Sequence, residues 1–104
     1  MNKVIYRQTT RGSSLDCCWD TTRDIMSATF TLFRTEYVTA RQLPVPGFIG
    51  KEIDLESYDR KTVEVQIVST DESTAFPESG DYRLEVTART NNGNHVFIAI
   101  ISVE

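Results

Sequence analysis

One feature limits the fold of this chain more than any other. Apolar residues alternate with mostly polar ones along most of its length. In Leu15–Asp20, with sequence LDCCWD, every second residue is apolar, and the same period of two recurs in 28–33, 63–68 and 82–89. Successive side chains of a β-strand point to opposite faces of the sheet, so this period is typical of strands with one face in a core. Threonine, valine, isoleucine and aromatic residues are frequent in these runs, as pleated surfaces favour. The pattern predicts an all-β chain.

Turn signals between the runs predict how the strands are connected. Asn92-Gly93 favours a tight hairpin between a strand ending near Thr90 and the last strand. The segments 4–8 and 53–55 are weaker strand candidates, and the prolines of 43–47 indicate a loop. About seven short strands with intervening turns predict an immunoglobulin-like β-sandwich.

Length and charge limit the classes of function. The 104 residues suit one domain, 1–104, that can bury a core without a metal or a disulfide. The 11 basic and 15 acidic residues give a formal charge of −4, which argues against nucleic-acid binding. The longest apolar run, 96–101, is too short to span a bilayer, and no signal peptide is visible at the N-terminus. We therefore expect a protein made in the cytoplasm that binds no membrane and no nucleic acid.

The acidic stretch 69–82, with sequence STDESTAFPESGDY, raises the question of a metal site. Ser69 and Glu72 have the spacing of a capping box, which predicts one short helical turn near residues 70–76. The stretch lacks the alternating oxygen ligands of a calcium loop. We interpret its carboxylates as parts of a turn, and we predict no metal and no cofactor.

The end of the same stretch predicts structural roles for two residues. Gly80 lies in the turn that leads into the next strand. Tyr82 has the position of a tyrosine corner, in which the hydroxyl group bonds to the backbone just upstream. Phe76 is expected to close one end of the core.

Residues that could perform catalysis are few. His95 is the single histidine, and Cys17 and Cys18 are the two cysteines. No nucleophile motif surrounds them, and their spacing does not suit a metal. Neighbouring strand residues point apart, so we expect two reduced thiols, one buried and one exposed. We do not expect an enzyme.

The last strand, 96–103, is apolar on both faces, which favours a binding role. The N-terminal segment with Val4 and Tyr6 could cover its second face, or a neighbouring subunit could. The loop 37–48 adds further apolar residues that a plain surface loop does not need. The candidate interface residues are therefore Phe97, Ile101, Val103, Tyr37, Val45 and Phe48.

The order of these segments resembles the small immunoglobulin-like domains of tailed-bacteriophage virion proteins, such as the N-terminal domain of baseplate upper proteins. The resemblance rests on DIMSAT at 24–29, on 73–82 leading to Gly80 and Tyr82, and on the Asn92-Gly93 hairpin. It covers nearly the whole chain, through motifs that are individually degenerate.

The resemblance implies a virion structural protein without catalysis. Such a subunit would dock on other virion proteins of the capsid, neck, tail or baseplate, as a head decoration or cement protein or as an adaptor, and would form a homo-oligomer in the particle. The alternative is a carbohydrate-binding module of a host-recognition fibre, which needs exposed aromatic residues. Trp19, the only tryptophan, lies on an apolar strand face and is expected in the core.

Overall fold

Eight β-strands form the chain in a computed structural model that describes residues 3–21, 24–54, 61–69 and 75–104. Six of the strands contain the alternating runs, the apolar run or the N-terminal segment noted above, and two short strands follow the third. In chain order they are β1 (Lys3–Thr9), β2 (Leu15–Asp20), β3 (Ile25–Thr35), β4 (Gln42–Pro44), β5 (Lys51–Glu52), β6 (Thr62–Ile67), β7 (Gly80–Thr90) and β8 (Gly93–Val103).

The strands form two sheets, and together these make a β-sandwich. The larger sheet has the order β1-β8-β7-β3-β4, with β5 also pairing with β3, and the smaller sheet pairs β2 with β6. All pairs are antiparallel except β1 and β8, which are parallel. The all-β sandwich prediction is confirmed, with eight strands in place of about seven.

The core lies between the inner faces of the two sheets. Every second residue of β2 and β6 is buried, as the alternation predicted. Trp19 is 3% exposed and its ring lies 6.1 Å from that of Phe97, so the prediction that this tryptophan belongs to the core is confirmed. Burying an aromatic side chain of this size is among the largest single contributions that a small core can have.

Tyr82 forms the predicted tyrosine corner. Its hydroxyl group donates to the carbonyl oxygen of Glu78 at 2.8 Å and accepts from the Glu78 N–H at 3.2 Å. The ring packs edge-on against Phe76, with centroids 5.2 Å apart, and Phe76 is fully buried. Gly80, just upstream, has φ of 134°, a value that side chains other than glycine rarely adopt. Both predicted structural roles are therefore present.

Burial of the phenol also raises the pKa of Tyr82. The hydrogen bond to the Glu78 backbone and the positive charge of Arg34 partly oppose this effect, while the Glu78 carboxylate adds to it. The folded chain therefore favours the neutral phenol.

Two local predictions need adjustment, and a third lies mostly outside the described residues. The loop predicted at 43–47 begins only after Pro44. Leu43 and Pro44 belong to β4, which pairs them with Arg34 and Phe33 at the sheet edge. Proline is tolerated there because an edge strand leaves donors unpaired. The strand predicted at 53–55 lies instead at Lys51–Glu52. Residues 70–74, most of the predicted helical turn at 70–76, lie outside the described residues.

The hairpin between β7 and β8 follows its prediction closely. Two residues, Asn91 and Asn92, connect Thr90 to Gly93, and the positive φ of 103° falls on Gly93. The Thr90 hydroxyl group closes the turn by donating to the Gly93 carbonyl oxygen at 3.0 Å. Among the described residues no helix is long and apolar enough to cross a membrane.

Candidate protein-interaction face

The face of β8 that we predicted as an interface is the buried one. Phe97, Ile101 and Val103 are 2%, 0% and 4% exposed. They belong to the core between the sheets, and Ile101 lies opposite the buried Tyr82. The prediction that these three side chains are available to a partner is therefore wrong, because the sandwich itself covers them.

The loop after β3 contains both buried and exposed residues of the predicted interface. Val45 and Phe48 are buried in the core, because the backbone of each bonds to that of Leu32 on β3. Their predicted role as interface residues is also wrong. Tyr37, at 99% exposed, and Val38 lie at the tip of the turn 36–41 and point away from the core. This tip is the part of the predicted loop contact that remains accessible.

The opposite face of β8 is also apolar, with Ile98 7% exposed and Val96 and Ile100 half-buried. In the register, Val4 on β1 lies beside Ile98, and Tyr6 lies beside Ile100. Val4 is 46% exposed and Tyr6 is 77% exposed. Strand β1 therefore lies beside β8 in the same sheet and widens the second face of β8. It does not pack on top of that face, which was the first of the two alternatives predicted from the sequence. We call this surface the outer patch; it consists of Val4, Tyr6, Phe33, Val96, Ile98 and Ile100.

An ion pair borders the outer patch on β7. Arg83 lies beside Ile100 and Glu85 lies beside Ile98, and the two charged groups approach to 3.3 Å. Both side chains are about one third exposed, so water and salt weaken the attraction between them. Opposite charges thus stand two residues apart on one strand, directly next to the two isoleucines.

The edge of the outer patch forms an open groove. The residues that line it are Tyr6, Arg7, Gln8, Ile100 and Ser102. It combines one exposed aromatic ring with hydrogen-bonding side chains. The groove lies at the β1 edge of the larger sheet.

The residues considered for catalysis lie on different sheets, the two cysteines on β2 and His95 on β8. Cys17 is buried in the core and Cys18 is exposed on the other face of β2, as predicted. Burial raises the pKa of the Cys17 thiol to about 11, although the positive charge of Arg7 partly opposes the shift. A thiol that stays protonated is a poor nucleophile. His95, on the inner side of β8, has a buried Nε2 with no acceptor or donor among the described residues.

The acidic stretch shows the structural contacts expected of a turn. The Ser69 hydroxyl group accepts from the Ala75 N–H at 3.1 Å and donates to the Ser13 carbonyl oxygen at 3.0 Å. The Glu78 carboxylate pairs with Arg34. Within the described ranges, no group of three or more His, Cys, Asp or Glu residues could hold a metal ion. Asp71 and Glu72 lie outside those ranges.

Comparisons with solved structures identify the fold. The chain is similar to a chicken TCR, with a TM-score of 0.58 at 8% identity, over 99% of this chain and 54% of that one. It is also similar to an AA10 LPMO from Photorhabdus luminescens, with a TM-score of 0.55 at 8% identity, over 96% of this chain and 58% of that one. The fold is an immunoglobulin-like β-sandwich. The chain thus spans little more than half of these two structures, and likeness at such identity shows the fold alone.

A third structure, an uncharacterized protein from Bacillus anthracis, is similar with a TM-score of 0.52 at 8% identity, over 98% of this chain and 86% of that one. No family profile and no curated protein matches the sequence of this chain. The assignment of a function therefore depends on the surface of the chain itself.

Sequence reasoning found the two-faced apolar strand and chose the wrong face of it. The signal that separates the faces is the hairpin register, which pairs Phe97 and Ile101 with the buried Val86 and Tyr82 of β7. The parallel pairing of β1 with β8 then places Tyr6 beside Ile100 on the outer face. No local sequence motif predicts a parallel pairing between strands at the two ends of a chain. A weak hint was available in Tyr6 and Val4, which alternate with the same period as the β8 residues.

Proposed function

We propose that this chain is a non-catalytic structural subunit of a bacteriophage virion, which docks on other virion proteins through the outer patch. The observation that supports docking is the exposure of Val4 (46%) and Tyr6 (77%) on the outer face of the sheet, where they adjoin the half-buried Ile100 and the buried Ile98. Contiguous exposed apolar surface of this kind is typical of protein-interaction sites. The virion context comes from the resemblance of the sequence to small domains of tailed-phage structural proteins.

The mechanism of docking is ordinary association. Isoleucine and aromatic anchors would fill the centre of the contact, while Gln8, Ser102 and Asp81 would form a polar rim. Copies repeated on a symmetric particle gain from avidity, so each contact can be weak. The same kind of contact would serve a head decoration or cement protein. It would equally serve an adaptor at the neck, tail or baseplate.

Particle association tests the proposal. We would purify by density gradient the particles produced by the phage or prophage that encodes the chain, and quantify the chain in them by mass spectrometry. We expect it at many copies per particle. Ile100→Lys should remove it from the particles while its melting temperature stays near the wild-type value, because that side chain lies on the outer face.

Ile49→Lys is the matched control, since Ile49 is an exposed isoleucine outside the outer patch. It should enter particles normally. Absence of the wild-type chain from purified particles would contradict the virion role. Equal incorporation of both lysine variants would place the docking surface elsewhere.

A carbohydrate-binding role is the second candidate, and the groove at the β1 edge favours it. An exposed tyrosine ring next to Gln8 and Ser102 can stack on a sugar and bond to its hydroxyl groups. The burial of Trp19 removes the strongest aromatic candidate. A glycan array with wild type and Tyr6→Ala tests this role: binding lost in the variant would support it, and no binding by the wild type would exclude it for the glycans tested.

A further inference from the structure

We propose that the first occupant of the outer patch is a second copy of this chain, packed face to face about a two-fold axis. The inference rests on the proposed function in that it uses the same docking surface, and it names the partner. Three features of the face carry it: the distribution of charge, the order of residues across the sheet, and the size of the face.

The charges on the face are self-complementary. Arg83 and Glu85 occupy neighbouring outward positions on β7 and carry opposite charges. In a two-fold contact, residue i of one copy meets residue j of the other, and j meets i. Such a contact can place Arg83 of each copy against Glu85 of the other, so two identical faces attract where two faces of one sign would repel.

The rows of the sheet select the direction of the axis. One row contains Val4, Ile98 and Glu85, and the next contains Tyr6, Ile100 and Arg83. An axis that runs across the strands between these rows exchanges them. Ile98 then meets Ile100 of the second copy, and Val4 meets Tyr6.

The other in-plane axis, parallel to the strands, gives a worse match. Between β7 and β8, such an axis places each charged side chain against an isoleucine of the other copy, and along β7 it places Arg83 against Arg83 and Glu85 against Glu85. Burying a charge against an apolar group without a partner is costly. The axis across the strands instead places Asp81 opposite Thr87 of the second copy. Among the outward residues of β7 from Asp81 to Thr87, no two like charges face each other. The two sheets then lie nearly aligned, the common geometry for face-to-face packing.

The face is large enough for a specific dimer. Strands β7 and β8 each contain 11 residues, a length of roughly 35 Å, and the five strands of the main sheet span about 19 Å. This footprint, increased by the relief of the side chains, approaches the roughly 800 Å² per partner of a standard interface. Strand β1 has seven residues and β4 has three, so the full width is available only near the middle of the sheet.

Sedimentation equilibrium tests the dimer and its axis together. The wild-type chain should change from monomer to dimer as its concentration rises to about 0.5 mM, which is enough to populate even a weak complex. Arg83→Glu and Glu85→Arg should each weaken the dimer at least tenfold, because every variant homodimer brings like charges together. An equimolar mixture of the two variants should recover a heterodimer, because its facing charges are opposite at both positions. Melting temperatures close to wild type would show that both variants remain folded.

Ile100→Ser adds an apolar test, and it should weaken the dimer without preventing folding. A wild-type chain that stays monomeric over the whole range overturns the inference, and so does a dimer that both charge variants leave intact. Variants that dissociate and do not pair when mixed overturn the proposed axis. A monomeric chain that still requires Ile100 to enter particles would keep the proposed function and exclude only the self-contact.

Discussion

The hydroxyl group of Tyr82 lies 2.8 Å from the carbonyl oxygen of Glu78 and 3.2 Å from its backbone nitrogen, so one side chain ties β7 to the turn that precedes it. Tyr82 is fully buried and its ring contacts Phe76, which closes the same end of the core. The tie fixes where the acidic turn meets the sandwich.

Tyr82→Phe should lower the free energy of unfolding by about 1–2 kcal/mol. The ring contact with Phe76 is kept, while the two hydrogen bonds to Glu78 are lost. Urea denaturation measures the change. Tyr37→Phe is the control, because Tyr37 is 99% exposed and should have no effect. Equal stability of the two variants would show that the corner contributes nothing to stability.

The Cys17 thiol should make the protein less stable in alkaline solution. Its pKa is raised by burial from 9.0 to about 11, so the folded chain holds the proton more tightly than the unfolded chain. The contribution is fully present below about pH 9 and is lost as the pH rises towards 11, a loss on the order of 2 kcal/mol. The raised pKa of Tyr82 acts with the same sign, and its effect begins above the ordinary tyrosine value of 10.0.

Unfolding in urea at several pH values between 8 and about 11 tests the sign. Cys17→Ala is less stable throughout because it leaves a cavity, yet its stability should fall less steeply across this window. Parallel curves for the two proteins would contradict the assignment to Cys17, since all other titrating groups are common to both.

The two cysteines should differ sharply in reactivity. Cys18 is exposed and Cys17 is buried with a raised pKa, so a thiol reagent at neutral pH should label one thiol quickly and the second only after unfolding. In Cys18→Ser the fast phase should disappear. Fast labelling that persists in this variant would mean that the core around Cys17 opens readily.

The burial of Ile101 on the inner face of β8 predicts different effects of two isoleucine-to-valine changes. Ile101→Val removes a methyl group from the fully buried core and should cost about 0.5–1.5 kcal/mol. Ile49→Val removes the same group from an exposed side chain and should be nearly neutral. Thermal or chemical unfolding of both variants is the measurement. A neutral Ile101→Val would argue that this face of β8 is not packed as the structure has it.

The sequence alone determined most of the local structure of this protein. Period two identified the strands that contain Trp19 and Tyr82, and it assigned their buried residues correctly, because an alternating strand has only one apolar face to bury. The Asn92-Gly93 turn and the tyrosine corner were also predictable, since each depends on residues close together in the chain.

The hairpin turn between β7 and β8 fixes which face of β8 is buried, because it pairs Phe97 and Ile101 with the buried Val86 and Tyr82 of the alternating strand β7. Only the tertiary structure decided what lies beside the other face. The parallel pairing of Tyr6 with Ile100 joins residues at opposite ends of the chain, and no local property of either segment encodes it. The candidate interaction surface therefore follows from long-range strand pairing, whereas the strands themselves follow from local alternation.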